Sequence, residues 1–340
     1  MSKLGPLGSL CCCLTLCNAC SGEAFHLLDA RLQSERDAGL DLPPLMTTGT
    51  GSEAGAAGAA GAAGAVGVLP EPDPPDADPP DAGGPPPVIG PCGVLRSDAL
   101  LANAEVCIPA GTFSMGSVGS VPSGYVPHGP IHEVTLPDFV LDAYEVTVVR
   151  YRACFSAGSC SALSTIAEQG CTFTTQPGAR ERHPVTCLSW SAARDFCAWD
   201  GGRRLPTEAE WERAARGTSG SLYAWGDSFD CSVAVLAGAT SCPEHSGSTP
   251  RPVGSTPAGA SEEGAFDLTG NAWEWVADRF GAYDGAAATN PTGPTSGTLR
   301  IQRGGNWQTS PPNAASYMRR SESADAEAPS SFRCARSVLP

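Results

Sequence analysis

A chain of 340 residues has room for one large domain and extensions. Its 21 Lys and Arg stand against 36 Asp and Glu, a net charge of −15 that argues against nucleic acid or anionic lipid as a partner. Fifteen cysteines without a CxxC…CxxC metal pattern exceed what a reduced cytosol favours. No apolar run of about 18 residues follows the N-terminus, so no membrane span is expected in the mature chain.

The first residues, MSKLGPLGSLCCCLTLCNACSGE, place Lys3 before a short apolar region from Leu7 to Leu16. That region is too short to span a bilayer and suits an export signal. It resembles a bacterial lipoprotein signal, where a small residue precedes the cysteine that is lipidated after cleavage. Residues 1–20 are read as this signal, with Cys20 after Ala19 as the lipidation site and Cys17 as the alternative. Residues 21–48 are assigned no function, although FHLLDARLQSER has the pattern of a short helix. Residues 49–91 hold ten Gly, ten Pro, ten Ala, six acids and no Lys or Arg, so they cannot bury a core. They read as a tether, flexible in GAAGAAGAAGA and extended in PEPDPPDADPPDAGGPPP.

All seven tryptophans lie between Trp190 and Trp307, and ten cysteines between Cys92 and Cys334. One compact domain over residues 93–340 accommodates both, with up to five disulfides at ~2–4 kcal/mol each. Helical patterns fall at about 142–155, 189–200 and 207–216. The remainder is short strand signals, such as HEVTLPDFVLD, between Gly/Pro/Ser-rich turns. The class is therefore α+β, irregular, loop-rich and stapled.

The stretch CAWDGGRRLPTEAEWERAARG crowds Glu208, Glu210 and Glu212 together, which invites a reading as acid/base machinery. Local physics gives them another task. Thr207 and Glu210 form a capping-box pattern after Pro206, and Gly217 is a natural stop. Ala209, Trp211, Ala214 and Ala215 make a short apolar stripe at helical spacing. Scaffold is the expectation for this helix.

Six ordered stretches carry a resemblance: CIPAGTFSMGS, HEVTLPDFVLDAYEVTVVRYRACF, HPVTCLSWSAARDFCAWDGGRRLPTEAEWERAARG, FDLTGNAWEWVAD, RGGNW and FRCAR. Together they are similar to the sulfatase-modifying-factor family, the formylglycine-generating-enzyme-like domain. The resemblance implies that family's fold, compact and poor in regular structure, distantly related to C-type lectins. It implies a structural calcium at GNAWEWVAD, held by Asp267 and Glu274 carboxylates and the carbonyls of Gly270 and Ala272, an all-oxygen set that suits Ca²⁺. It also implies a bridge between Cys197 and Cys334. Cys231 and Cys242 are close enough in sequence to close a small loop, and Cys92 is expected to pair with Cys107. Cys154, Cys160, Cys171 and Cys187 are left to pair among themselves, in an order that sequence does not fix.

In catalytic members of the family, two cysteines shortly after the GGS motif bind copper(I) and activate oxygen, converting a cysteine of a client sulfatase to formylglycine. Here no cysteine occurs between Gly305 and Cys334, Asn306 replaces the serine, and Thr309 and Ala314 lie near the lost pair. Copper is therefore not expected, since soft thiolates are what select Cu(I). The five histidines offer no substitute: Gly129-Pro130 interrupts His128 and His132, and His26, His183 and His245 are isolated. The family's peptide groove leaves Arg303, Asn306, Trp307, Tyr317, Arg319 and Arg320 as candidate ligand contacts, against the alternative that Trp307 and Arg303 only pack and pin the loop. The resulting expectation is a monomeric, exported binding module for a peptide, protein or glycan at the cell envelope, reaching the membrane only through a lipid anchor. A formylglycine-generating oxidase, or another oxidoreductase or transferase using the same cleft, is the alternative.

Overall fold

The computed structural model describes residues 89–338, apart from 91, 98–101, 166–169, 231 and 238–248. The signal, Cys20, residues 21–48, nearly all of the tether, Cys231 and Cys242 lie outside the described residues. Pairing starts at the very end of the span read as tether, where β1 (Ile89–Gly90) pairs with β2 (Gly93–Val94).

Strands β3 (Glu105–Ile108), β4 (Gly111–Met115), β5 (His132–Leu136) and β6 (Phe139–Asp142) precede three helices: α1 (Val148–Ser156), α2 (Trp190–Trp199) and α3 (Glu208–Arg216). Then come β7 (Trp273–Arg279), β8 (Ala288–Thr289), β9 (Leu299–Arg303), β10 (Arg319–Ser323), β11 (Ser330–Phe332) and β12 (Ala335–Ser337). The larger sheets have orders β10-β9-β7-β11, β12-β6-β3 and β4-β5-β8. Long irregular connections separate them, the α+β, loop-rich architecture expected of the sequence.

The first helix is shorter than its pattern suggested. Asp142 ends β6 instead of beginning a helix, because its carboxylate is fully buried and receives Arg203, Arg150 and the Cys334 amide. Helix α1 starts only after Thr147. Helix α3 is buried on all sides, every residue from Glu208 to Ala215 lying inside the fold. Its capping box is present, with Thr207 Oγ1 accepting from Glu210 N at 3.1 Å and Glu210 Oε2 accepting from Thr207 N at 2.8 Å.

Two apolar clusters flank these elements. One joins α3 to β4–β6 through Trp211, Phe113 and Leu136, and the other joins α1 and α2 to Trp275 and Phe332. Four disulfides lie among the described residues: Cys92–Cys107, Cys154–Cys160, Cys171–Cys187 and Cys197–Cys334. The last spans 137 positions and ties α2 to the segment between β11 and β12. Long loops gain most from closure. Replacing both cysteines by serine should lower the unfolding free energy by about 2–5 kcal/mol, read from the urea midpoint under oxidising conditions.

Candidate functional site

The segment from Arg303 to Arg320 links β9 to β10 and carries most of the candidate residues. Its start is dictated by close approach. Gly304 and Gly305 have φ of +93° and +79°; a Cβ on the first would lie 3.1 Å from the Trp211 ring, and one on the second 3.1 Å from Ala314 Cβ. Both positions therefore require glycine.

Three of the six candidates face inward. Arg303 is fully buried and donates to the carbonyls of Ser316, Tyr317 and Met318 at 3.0–3.1 Å, while pairing with Glu212. Arg319 forks onto Glu208 at 2.6 and 2.7 Å and donates to the Pro127 and Gly281 carbonyls. Trp307 is buried against Val235 and Ala272, in space left by Gly170, where a Cβ would lie 2.4 Å from its ring. Asn306, nearly buried, accepts from Gln308 N and from Thr309 Oγ1, while its own amide donates back to that hydroxyl at 3.0 Å. Packing and pinning thus occupy all four.

Tyr317 and Arg320 remain half-buried at the surface, where the fold adds three residues that sequence reasoning passed over. The Tyr125 ring lies 5.8 Å from that of Trp273, and the Arg320 guanidinium 6.0 Å over the same Trp273 ring. Burial raises the Tyr125 hydroxyl pKa, opposed by its hydrogen bond with Thr309. His128 packs 5.0 Å from Tyr317, and its Nδ1 is buried with no partner among the described residues. Burial first, then Arg303, pushes this imidazole towards its neutral form. Val126 N donates to Arg319 O at 3.1 Å and holds the 121–128 stretch against β10. Only tertiary structure brings these residues together, since 148 positions separate Tyr125 from Trp273. Tyr125, Tyr317 and Arg320 are the partly exposed members, offering two aromatic rings and a guanidinium to an extended ligand, while Trp273 and His128 are buried beneath them.

The expected metal positions are chemically committed elsewhere. Thr309 and Ala314 present a hydroxyl bonded to Asn306 and a buried methyl, neither a ligand for copper(I). At the proposed calcium set, Glu274 spends both oxygens on Arg333, at 2.7 and 2.8 Å, and also accepts from Trp211 Nε1. Asp267 Oδ2 accepts from Gly254 N at 2.7 Å, and no group of three or more His, Cys, Asp or Glu among the described residues is arranged to hold a metal. With its oxygens so engaged, Glu274 does not fit calcium; the cation beside it is a guanidinium. Arg333 nonetheless faces three buried carboxylates. Burial, then its neighbours Asp267 and Glu274, raises Glu145 well above the usual range, and burial raises Asp267 to about 6.

A cavity of about 370 Å³ lies on the other side of Arg319, lined by Glu208, Tyr283, Asp278 and His132. Arg319 sits 4.0 Å over the Tyr283 ring, and His132 packs on that ring at 4.7 Å. Burial, then Glu208, raises Asp278 to about 7.

The chain belongs to a known family. Residues 93–338 match the model of the sulfatase-modifying factor enzyme 1-like domain. It is 29% identical over 265 residues to a formylglycine-generating enzyme of Thermomonospora curvata, covering 62% of this chain and 85% of that one. It is 30% identical over 285 residues to the inactive C-alpha-formylglycine-generating enzyme 2 of Bos taurus, covering 68% and 87%. A serine/threonine-protein kinase, Pkn1 of Chlamydia trachomatis, is 31% identical over 250 residues; the match takes in 68% of this chain but 38% of the kinase. Among solved structures, PvdO from Pseudomonas aeruginosa aligns with a TM-score of 0.55 and 26% identity over 68% of this chain and 94% of that one.

Two outcomes follow from these geometries. Glu208→Gln leaves Arg319 buried beside a neutral amide and should cost about 3–5 kcal/mol of stability in urea unfolding. For Asp278, the folded pKa lies above the unfolded one, so the folded state holds the extra proton and stability falls as pH rises from ~4 towards about 7, by ~1.4 kcal/mol per unit at most. Asp278→Asn removes that titration, so the variant should gain on the parent between pH ~5 and ~8 in thermal melts. A difference independent of pH would contradict the assignment.

Proposed function

We propose that this chain is an exported member of the family whose domain has lost the copper oxidase chemistry and binds an extended peptide. The observation that carries the reading is the pair Thr309 and Ala314, which stand without sulfur near where catalytic relatives carry their two cysteines. Beside Thr309 lies the Tyr125, Trp273 and Arg320 face, with Tyr317 and His128 adjoining. Side chains of this kind dominate peptide-binding surfaces, because aromatic rings bury area at low entropic cost and guanidinium forks take carbonyls and carboxylates. A relative whose own name marks it as inactive shares 30% identity, so loss of activity has a precedent within the family.

Export is supported coarsely: four disulfides suit an oxidising compartment, and among the described residues no helix is long and apolar enough to cross a membrane. Within this proposal Cys20 carries a lipid and residues 49–91 hold the domain away from the envelope surface. The same face also suits a glycan, since aromatic rings stack on sugars as they do on peptide side chains.

The deciding measurement is a Cu(I) titration of residues 89–340 with disulfides intact, against a competing chelator; this span leaves out the five cysteines of residues 11–20, which would bind the metal themselves. No tight site is expected. A tight one-to-one site would instead establish the oxidase reading, and cysteine-containing sulfatase peptides would be its substrates to try. For the binding reading, selection from a displayed library of extended peptides should yield ligands whose affinity drops at least about tenfold in Arg320→Gln and Tyr125→Ala. Selected peptides that bind both variants as well as the parent would place recognition elsewhere.

A further inference from the structure

A second cavity, about 430 Å³, is formed by the start of α2, the end of β7, the β8–β9 connection and β12. Four guanidiniums line it, from Arg194, Arg204, Arg279 and Arg300, in a chain with only 21 cationic side chains and a net charge of −15. Such clustering of a scarce charge around one opening needs a reason, since like charges repel at this range.

Hydrogen bonds and ring contacts place the four. Trp190 Nε1 donates to Val276 O at 2.7 Å, which fixes the indole as a platform. Arg300 lies 3.5 Å from the centroid of that ring and Arg194 lies 5.4 Å from it. Arg300 Nη1 donates to Ala277 O at 2.8 Å, and Arg279 Nε donates to Gly297 O at 3.0 Å. Arg204 is forked onto Glu210, and Arg194 pairs with Asp195. Arg279 and Arg300, by contrast, have no carboxylate within ion-pair distance among the described residues; their hydrogen bonds go to neutral carbonyls. Burial, then Arg279 and Arg194, lowers the pKa of Arg300, and the opposing pull of Asp278 does not cancel them.

We propose that this cavity binds a phosphate monoester carried on a sugar-sized molecule, with Arg279 and Arg300 taking the phosphate. Two uncompensated guanidiniums match the charge of a monoester near neutrality, about −1.5 to −2, and their forks fit its oxygens. Asn290, Thr292 and Ser337 at the opening supply amide and hydroxyl groups for sugar hydroxyls, and the volume lies within the range of small-molecule sites. Arg300, 3.5 Å from the centroid of the Trp190 ring, already occupies stacking space on that indole. The site shares no residue with the Tyr125–Arg320 face and stands whether or not that face binds a peptide.

Isothermal titration of the full chain with glucose 6-phosphate at low salt tests it. Saturable one-to-one binding is expected with Kd below ~1 mM. Glucose 6-sulfate, with a single charge, should bind at least about tenfold more weakly, and added salt should weaken both. Arg279→Gln alters a half-buried surface residue whose loss leaves the core intact, as near-UV circular dichroism will verify, and should reduce affinity at least about tenfold. Absence of binding at ~10 mM overturns the proposal, as does unchanged affinity in a natively folded Arg279→Gln. Inorganic phosphate bound as tightly as the ester would overturn the sugar-sized part of the ligand.

Discussion

Buried carboxylate–guanidinium pairs between one short helix and the C-terminal strands are the constraint on which the rest of the domain rests. Helix α3 spans nine residues, and each of its three glutamates holds an arginine, two of them from β9 and β10 and one from the segment that leads into the helix. Glu208 takes Arg319, Glu210 takes Arg204, and Glu212 takes Arg303 together with Arg216 and the Gly116 amide. Burial alone would raise the pKa of Glu208; Arg319 and Arg303 outweigh it and keep the carboxylate ionised. Ion pairs of this kind add little net stability over an apolar core, but breaking one is costly, so they act as registers more than as glue.

That register explains how so little regular structure positions a surface precisely enough to recognise a ligand. Arg303 and Arg319 are cross-strand neighbours in the β9–β10 pairing, and each is caught by a different turn of α3. The loop between them is closed by Gly304, Gly305 and the Asn306–Thr309 bonds. What reaches the surface is residues 310–313 with Tyr317 and Arg320, and Tyr125 beside them. In the catalytic members this loop would also have to present two thiolates. Here the loop carries a hydroxyl at Thr309 and a methyl at Ala314, and Gly304 and Gly305 are dictated by close approach to Trp211 and Ala314.

A second network gathers three buried carboxylates around one arginine. Arg333 sits between Glu274, Asp267 and Glu145, and donates to the carbonyls of Asp142, Ala143 and Phe266 as well. One guanidinium does not neutralise three carboxylates. The raised pKa values of Glu145 and Asp267 are the consequence, because a buried charge without full compensation favours its proton.

The sequence alone determined much of this protein. Cysteine number, the capping box at Thr207 and the six ordered motifs were enough for family and fold class, because such signals are local or compositional. The absence of cysteine between Gly305 and Cys334 was equally legible, since an absent atom type is visible in one dimension. Which candidate residues face a ligand was not. Arg303, Trp307 and Arg319 look identical in sequence to surface anchors, and only the positions of Glu212, Gly170 and Glu208, each at least 91 residues away, turn them inward. Tyr125, His128 and Trp273 join the face for the same reason in reverse. Long-range pairing in a loop-rich domain is set by which buried charges must meet, and that matching has no periodicity along the chain for a reader of sequence to detect.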